Sequence, residues 1–142
     1  MLRQKERWDC FPTCVSILTG IDRDEIIENL SESKDGYSSS EMAFFLLKKG
    51  YSLITFSVKD LEEKLKSVFQ ECINQSISCI LTVKRKSEFH AIVCTPENNR
   101  VYDPFDGNYK DLEQIGAVYN IEIITKIDDI CNVNLVKEFK KI

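Results

Sequence analysis

The spacing of the apolar residues changes part-way along the chain, and this change constrains the fold most strongly. Before residue 50 apolar residues recur every three or four positions, as at Phe11, Val15 and Leu18, which is typical of helices with one buried face. After residue 76, short segments rich in β-branched residues alternate with turn residues, which indicates strands. Helices followed by an antiparallel sheet predict an α+β fold rather than a doubly wound one.

The same patterns predict the individual elements. The first helix is expected to begin with Asp9 as its N-cap, to carry Pro12 in its first turn and to end near Gly20. The segments 31–40 and 104–110 are expected to be loops that form the walls of any cleft. The other expected elements are helices at 23–31, 39–49, 60–74 and 128–140, and strands at 51–58, 76–83, 89–95, 100–104 and 119–127.

Length, charge and hydropathy limit the function classes. The 142 residues suit one domain spanning 1–142, and a net charge of −4 indicates neither a nucleic-acid nor an anionic-membrane partner. The polar N-terminus and the absence of any apolar run near the roughly 20 residues of a membrane span predict no signal peptide and no transmembrane segment. We therefore expect a cytoplasmic protein, with delivery elsewhere left open. The sequence does not indicate the oligomeric state.

Six cysteines raise the question of disulfides, metal binding or free thiols. Without a secretion signal, free thiols in a reducing compartment are expected. Cys10 and Cys14 are four residues apart, but a structural zinc site needs four ligands and the other cysteines offer no second close pair, so no metal is expected. A disulfide between these two residues is difficult within a regular helix. Cys14 lies on the apolar stripe and is expected to pack in the core. Cys10 is either a second inert core residue or a functional thiol.

His90 is the only histidine, so any mechanism that needs an imidazole must use it. It begins a predicted strand and shares a face with Ile92. The following hairpin returns as VYDP, which brings Asp103 close to the level of His90. A carboxylate on one ring nitrogen fixes the imidazole tautomer and stabilises the imidazolium. Asp106, three residues later, is a competing partner for the ring.

These residues suggest nucleophilic chemistry. A thiol at the start of a helix lies near the positive end of the helix dipole, which favours the thiolate, and a neighbouring imidazolium favours it further. Cys10, His90 and Asp103 are therefore candidates for a nucleophile, a base and an orienting group. Acyl transfer also needs donors for an oxyanion, and the Cys10 backbone N–H and the Gln4 side-chain amide are the candidates.

Taken together, the motifs resemble a known family. Their order is similar to that of the papain-like cysteine peptidases, and most similar to the bacteriocin-processing, double-glycine type. The resemblance covers two segments, about 4–20 and 89–104. The residues that carry it are Gln4, the pair Asp9-Cys10, Cys14, HAIV from His90 and VYDP from Val101.

The resemblance implies a papain-like cysteine peptidase fold, with N-terminal helices packed on a C-terminal antiparallel sheet. It implies that Cys10 is the nucleophile, that His90 is the general base and acid, and that Asp103 orients the ring. It further implies that Gln4 is an oxyanion donor and that Cys14 is the family's structural second cysteine.

The residues beside the nucleophile are the expected substrate contacts. Phe11 stands where the family usually has a glycine, and its bulk is expected to narrow the cleft. Trp8 either walls the cleft or covers the edge of the core, and Asp9 adjoins it. The expected function is cysteine-dependent cleavage of a peptide or isopeptide bond in a peptide or protein, without a cofactor. The alternatives are an inactive papain-like binding module and an acyl- or amide-transferase that uses the same triad.

Overall fold

Three helices occupy the N-terminal part of the computed structural model of the protein. The helices are α1 (Cys10–Thr19), α2 (Arg23–Glu28) and α3 (Ser39–Lys48). Within the described residues, no helix has the length and apolar character needed to cross a bilayer. The structure describes residues 2–3, 9–31, 37–57, 67, 70–85, 88–95, 100–111, 114–115 and 117–127.

The ends of the helices follow from local sequence. α1 ends at Gly20, whose φ of +78° is the left-handed conformation that glycine adopts most easily, and the Gly20 N–H donates to the Ser16 carbonyl at 2.9 Å. Ser38 caps α3, because its hydroxyl oxygen accepts a hydrogen bond from the Glu41 N–H. These two caps fix where the chain leaves α1 and where it enters α3.

Six strands form one antiparallel sheet in the order β1-β6-β2-β3-β4-β5. Val83 on β2 lies opposite His90 on β3. The pairing of β2 with β6 shifts register between Thr82 and Val83, and such irregularities are frequent beside active sites because they re-aim side chains. The strands are β1 (Tyr51–Ser57), β2 (Cys79–Arg85), β3 (Glu88–Thr95), β4 (Arg100–Asp103), β5 (Asn108–Lys110) and β6 (Val118–Lys126).

Two apolar clusters hold the helices and the sheet together. The first cluster joins side chains of the three helices to one set of sheet residues, and the second contains the alternate sheet residues. This division follows from the two-residue period of a strand, which sends neighbours such as Ile80 and Leu81 to opposite faces. The first cluster includes Cys14, Val15, Met42, Leu46 and Val93, and the second includes Cys72, Leu81, Ile92, Val101 and Ile121.

The predicted α+β order is confirmed, but one segment is wrong. Residues 104–110 were expected to form a loop, whereas 108–110 form β5, where Tyr109 lies opposite Tyr102. Three residues with two exposed side chains give too short an alternation to be distinguished from a turn. α2 ends at Glu28, before the expected end at 31. Of the helix expected at 60–74, the described residues 67 and 70–74 are helical, and 128–140 lies outside the described residues.

Candidate active site

Cys10 is the first residue of α1, and its side chain is partly exposed. Pro12 is accommodated in the first turn, where a helix needs no N–H donor, and the Thr13 N–H donates to the Asp9 carbonyl at 3.0 Å. Asp9 occupies the N-cap position as expected. Its carboxylate, however, makes no capping hydrogen bond, so the expected side-chain cap is wrong. Only 2% of Asp9 is exposed, so its side chain does not face solvent.

His90 lies near the start of β3 and contacts Asp103 at the end of β4. The His90 Nε2 atom is 2.6 Å from Oδ1 of Asp103. The Asp103 side chain is fully buried, whereas that of His90 is 11% exposed. This contact fixes the orientation of the ring. The N–H at Nε2 donates to Asp103, and Nδ1 is directed away from the carboxylate.

The Cys10 thiol is the second neighbour of the His90 ring: both side chains line the same cleft, and Cys10 contributes to raising the pKa of His90. Because Asp103 occupies Nε2, Nδ1 is the nitrogen left for the sulfur. Burial alone would lower the pKa of His90, but the hydrogen bonds and negative charges of Asp103 and Cys10 raise it to about 9. The ring is therefore an imidazolium at neutral pH, next to the Asp103 carboxylate and the Cys10 sulfur.

Asp103 has two further donors. Its Oδ1 accepts the Phe105 N–H at 3.0 Å, and its Oδ2 accepts Nζ of Lys110 at 2.9 Å. Burial would raise the pKa of Asp103, but the hydrogen bonds of His90, Lys110 and Phe105 hold it far below its usual range. The carboxylate is consequently ionised at neutral pH.

Asp106 does not compete for the ring. Its carboxylate accepts Nζ of Lys110 at 2.7 Å and the Asn108 N–H at 3.0 Å. Lys110, on β5, thus bridges Asp103 and Asp106. Lys110 is not predicted from the sequence, because residues 104–110 have the pattern of a loop.

A cleft of about 230 Å³ opens beside the thiol and the imidazole. Phe11 lines it although only 8% of that residue is exposed. Tyr37, from the segment expected to form a wall, lines it as well. Glu122, a buried carboxylate from β6 that is not predicted from the sequence, also lines the cleft. The alternation along β6 places residue 122 on the helix side of the sheet, but did not indicate that this position belongs to the cleft.

The other described cysteines differ from Cys10 in burial. Cys14 is fully buried in the first cluster, and burial raises its pKa well above the usual value. A hydrogen bond with Cys94 and burial raise the pKa of Cys79. Cys10 and Cys14 are both free, which is inconsistent with the disulfide alternative. In the described ranges, no group of three or more His, Cys, Asp or Glu side chains is arranged to hold a metal ion.

Two expected site residues, Gln4 and Trp8, lie outside the described residues. Of the others, the structure brings together Cys10, His90 and Asp103. Phe11 lines the cleft next to them, whereas Asp9 is not among the cleft-lining residues. Phe105 adds an exposed ring that meets His90 edge-on, with ring centroids 6.3 Å apart.

Comparison with known proteins bears on the fold. No protein-family model matches the chain, and no curated protein matches it. Solved structures do match. The peptidase domain of Streptococcus ComA, a bi-functional ABC transporter involved in a quorum-sensing pathway, is 14% identical with a TM-score of 0.60, over 87% of this chain and 96% of that one.

A double-glycine motif protease from an AMS/PCAT transporter, in complex with the leader peptide, has a TM-score of 0.63 at 14% identity, over 87% of this chain and 89% of that one. The fold is that of a double-glycine peptidase domain. The peptidase domain of Streptococcus mutans ComA, in complex with a small-molecule inhibitor, agrees: its TM-score is 0.59 at 15% identity, over 88% of this chain and 98% of that one.

The papain-like, double-glycine peptidase fold predicted from two short segments is therefore confirmed. TM-scores of 0.59–0.63 establish a shared fold, whereas identities of 14–15% carry no residue assignments. The chemistry of this site depends on its own side chains.

Proposed function

We propose that the protein is a cysteine peptidase in which Cys10 is the nucleophile, His90 the general base and acid, and Asp103 the orienting group. The observation that carries this proposal is the position of the single imidazole between the buried Asp103 carboxylate, at 2.6 Å, and the Cys10 thiol. A nucleophile, a base and an orienting group in hydrogen-bond contact are what thiol acyl transfer requires.

The reaction follows from the charges. The Cys10 thiolate attacks the carbonyl carbon of the scissile bond, and a C–S bond forms. The His90 imidazolium then gives its Nδ1 proton to the leaving nitrogen as the C–N bond breaks, which releases an amine and leaves a thioester. His90 next takes a proton from water, the hydroxide attacks the thioester carbonyl, and the C–S bond breaks to release the acid.

The tetrahedral intermediate needs hydrogen-bond donors for its oxyanion. Cys10 is the first residue of α1, and the first N–H groups of a helix have no partner within the helix. We assign the Cys10 N–H as one donor. The Gln4 amide remains the proposed second donor on the strength of the sequence motif alone.

A peptide is the proposed substrate. The similar protease from the AMS/PCAT transporter was solved in complex with the leader peptide, which supports a peptide as the substrate of this protein. Phe11 is the proposed cleft wall nearest the nucleophile, and Trp8 stays a proposed neighbour of the substrate. We propose that the deeply buried Asp9 supports the start of α1 and does not touch the substrate.

The test is cleavage of a proteome-derived peptide mixture, with new peptide termini identified by mass spectrometry. The wild-type protein is expected to generate termini that the Cys10→Ala variant does not. Termini made equally by both proteins, or by neither, would contradict the proposal. Repeating the assay with a small added primary amine separates hydrolysis from transfer, because a transferase yields amide-capped termini.

A further inference from the structure

The cleft contains a carboxylate for which the triad has no use. Glu122 lies in the middle of β6, opposite Thr55 of β1 and Ile80 of β2. Only 2% of Glu122 is exposed, yet its side chain lines the same cleft as Cys10 and His90. A glutamate in the interior of a central strand is costly, because an ionised carboxylate loses its hydration there.

The contacts of Glu122 do not compensate for this cost. Its two carboxylate oxygens lie 3.5 Å from the hydroxyls of Ser39 and Thr55, at the outer limit of hydrogen bonding. Within the part of the chain that the structure describes, no lysine, arginine or histidine nitrogen forms an ion pair with Glu122. Burial raises the pKa of Glu122 to about 7, against the lowering effect of the two hydroxyls.

The surroundings of Glu122 are suited to a polar group. Tyr37, Thr82 and Asn120 line the cleft beside it. The volume, about 230 Å³, is below the roughly 300–1,000 Å³ of pockets that enclose a drug-sized ligand. Such a space accommodates one side chain or one chain end, with a carboxylate at its base.

We propose that Glu122 is a specificity determinant that binds a cationic nitrogen of the substrate close to the scissile bond. This proposal rests on the proposed function, since the cation is placed by the same peptide that Cys10 attacks. A cationic donor would supply the strong hydrogen bond that the two hydroxyls do not, and ionised pairs of this kind are the strongest hydrogen bonds in proteins. The nitrogen comes either from a lysine or arginine side chain or from the free α-amine of a short peptide.

Peptidyl chloromethyl ketones test the proposal, because the Cys10 sulfur displaces chloride from the probe and forms a stable C–S bond. Two probe series, acetyl-X-Gly and acetyl-Gly-X, carry lysine, norleucine or glutamate at X. Two further probes are Gly-Gly chloromethyl ketones, one with a free and one with an acetylated α-amine. The second-order rate of Cys10 labelling is followed at pH 8 by intact mass and peptide mapping.

For the wild-type protein we expect the lysine probe of one series to label Cys10 at least about tenfold faster than the norleucine probe, and glutamate to be slowest. If the free-amine Gly-Gly probe alone has this advantage, the cation is a chain end. Equal rates for lysine, norleucine and glutamate, with no advantage for the free amine, would overturn the proposal. Because these rates use the wild-type protein, the test does not depend on a variant that folds.

Two variants locate the effect. In Glu122→Gln the ratio of lysine to norleucine rates is expected to fall to near one, and Glu122→Asp serves if the glutamine variant does not fold. The matched control is Glu71→Gln on an exposed position, where the wild-type ratio is expected. A ratio that survives in folded Glu122→Gln would contradict the assignment to Glu122. Failure of the proposed function gives a different result, because no probe would then prefer Cys10 to the other cysteines.

Discussion

The Nε2 atom of His90 lies 2.6 Å from Oδ1 of Asp103, and the Asp103 side chain is fully buried. Thirteen positions separate the two residues, and they meet because β3 and β4 are adjacent antiparallel strands. The contact fixes the tautomer of the ring and leaves Nδ1 for the Cys10 thiol. The site therefore depends on a strand pair at least as much as on the helix that carries Cys10.

Replacing Asp103 by asparagine is expected to lower the pKa of His90. The wild-type value of about 9 is maintained against burial by hydrogen bonds and charge from Asp103 and Cys10. Without the carboxylate, the pKa should fall by roughly 1–2 units. The single histidine gives one imidazole resonance, so an NMR titration measures the midpoint directly.

Asp106→Asn is the matched control for that titration. Asp106 contacts Lys110 and the Asn108 N–H rather than the ring, so the His90 midpoint should remain near the wild-type value. An Asp103→Asn midpoint equal to that of the wild type would mean that the carboxylate does not stabilise the imidazolium.

Lys110→Met is expected to destabilise the protein. The change removes the cation that lies 2.9 Å from the fully buried Asp103 carboxylate. Because the remaining charge stays buried with one fewer partner, the free energy of unfolding at pH 7 should fall by about 2 kcal/mol. Urea denaturation followed by circular dichroism measures the change.

Arg100→Met provides the comparison for Lys110. Arg100 pairs with Asp111 at 3.5 Å, and both side chains are mostly exposed. Exposed pairs contribute roughly 0–1 kcal/mol, so this variant should be nearly as stable as the wild type. Equal losses in the two variants would indicate that the Lys110 contact is an ordinary surface pair.

Glu122→Gln is expected to change how stability depends on pH. The pKa of Glu122 is raised from about 4.5 to about 7 by folding, so the folded state retains a proton that the unfolded state loses in this range. The loss of folding stability that this raised pKa causes in the wild type is absent below pH 4.5 and complete above pH 7. The glutamine variant should therefore gain about 2 kcal/mol relative to the wild type between pH 5 and pH 8.

Urea denaturation at pH 5 and at pH 8 measures this gain in the free energy of unfolding. The exposed Glu71→Gln serves as the control, and its stability relative to the wild type should be the same at both. A Glu122→Gln variant whose relative stability does not change with pH would show that folding does not raise the pKa of Glu122.

The architecture could be predicted because helix and strand periods dominate their own segments. Phe11, Val15 and Leu18 are spaced for a helix, and YNIEIITKI (119–127) alternates as a strand. β5 could not be predicted, since its three residues become a strand only through pairing with β4. That residues 1–142 form a single domain stays a prediction.

The proposed triad could be predicted from the sequence because its members are rare residues or lie next to recognisable turn residues. One histidine, one cysteine at a helix start and one aspartate before a proline leave few combinations. Lys110 and Glu122 were missed for a physical reason. A lysine and a glutamate in polar surroundings resemble surface residues until the tertiary contacts bury the groups around them.

Alkylation by iodoacetamide at pH 7 tests the central claim most directly, with the labelled positions identified by peptide mapping. Cys10 should react at least about tenfold faster than any of the other five cysteines, because it lies beside an imidazolium at a helix start. His90→Ala should slow Cys10 about tenfold and leave the other rates unchanged. Slow labelling at all six cysteines, or a fast Cys10 rate that does not depend on His90, would contradict the assignment of a cysteine–histidine catalytic pair.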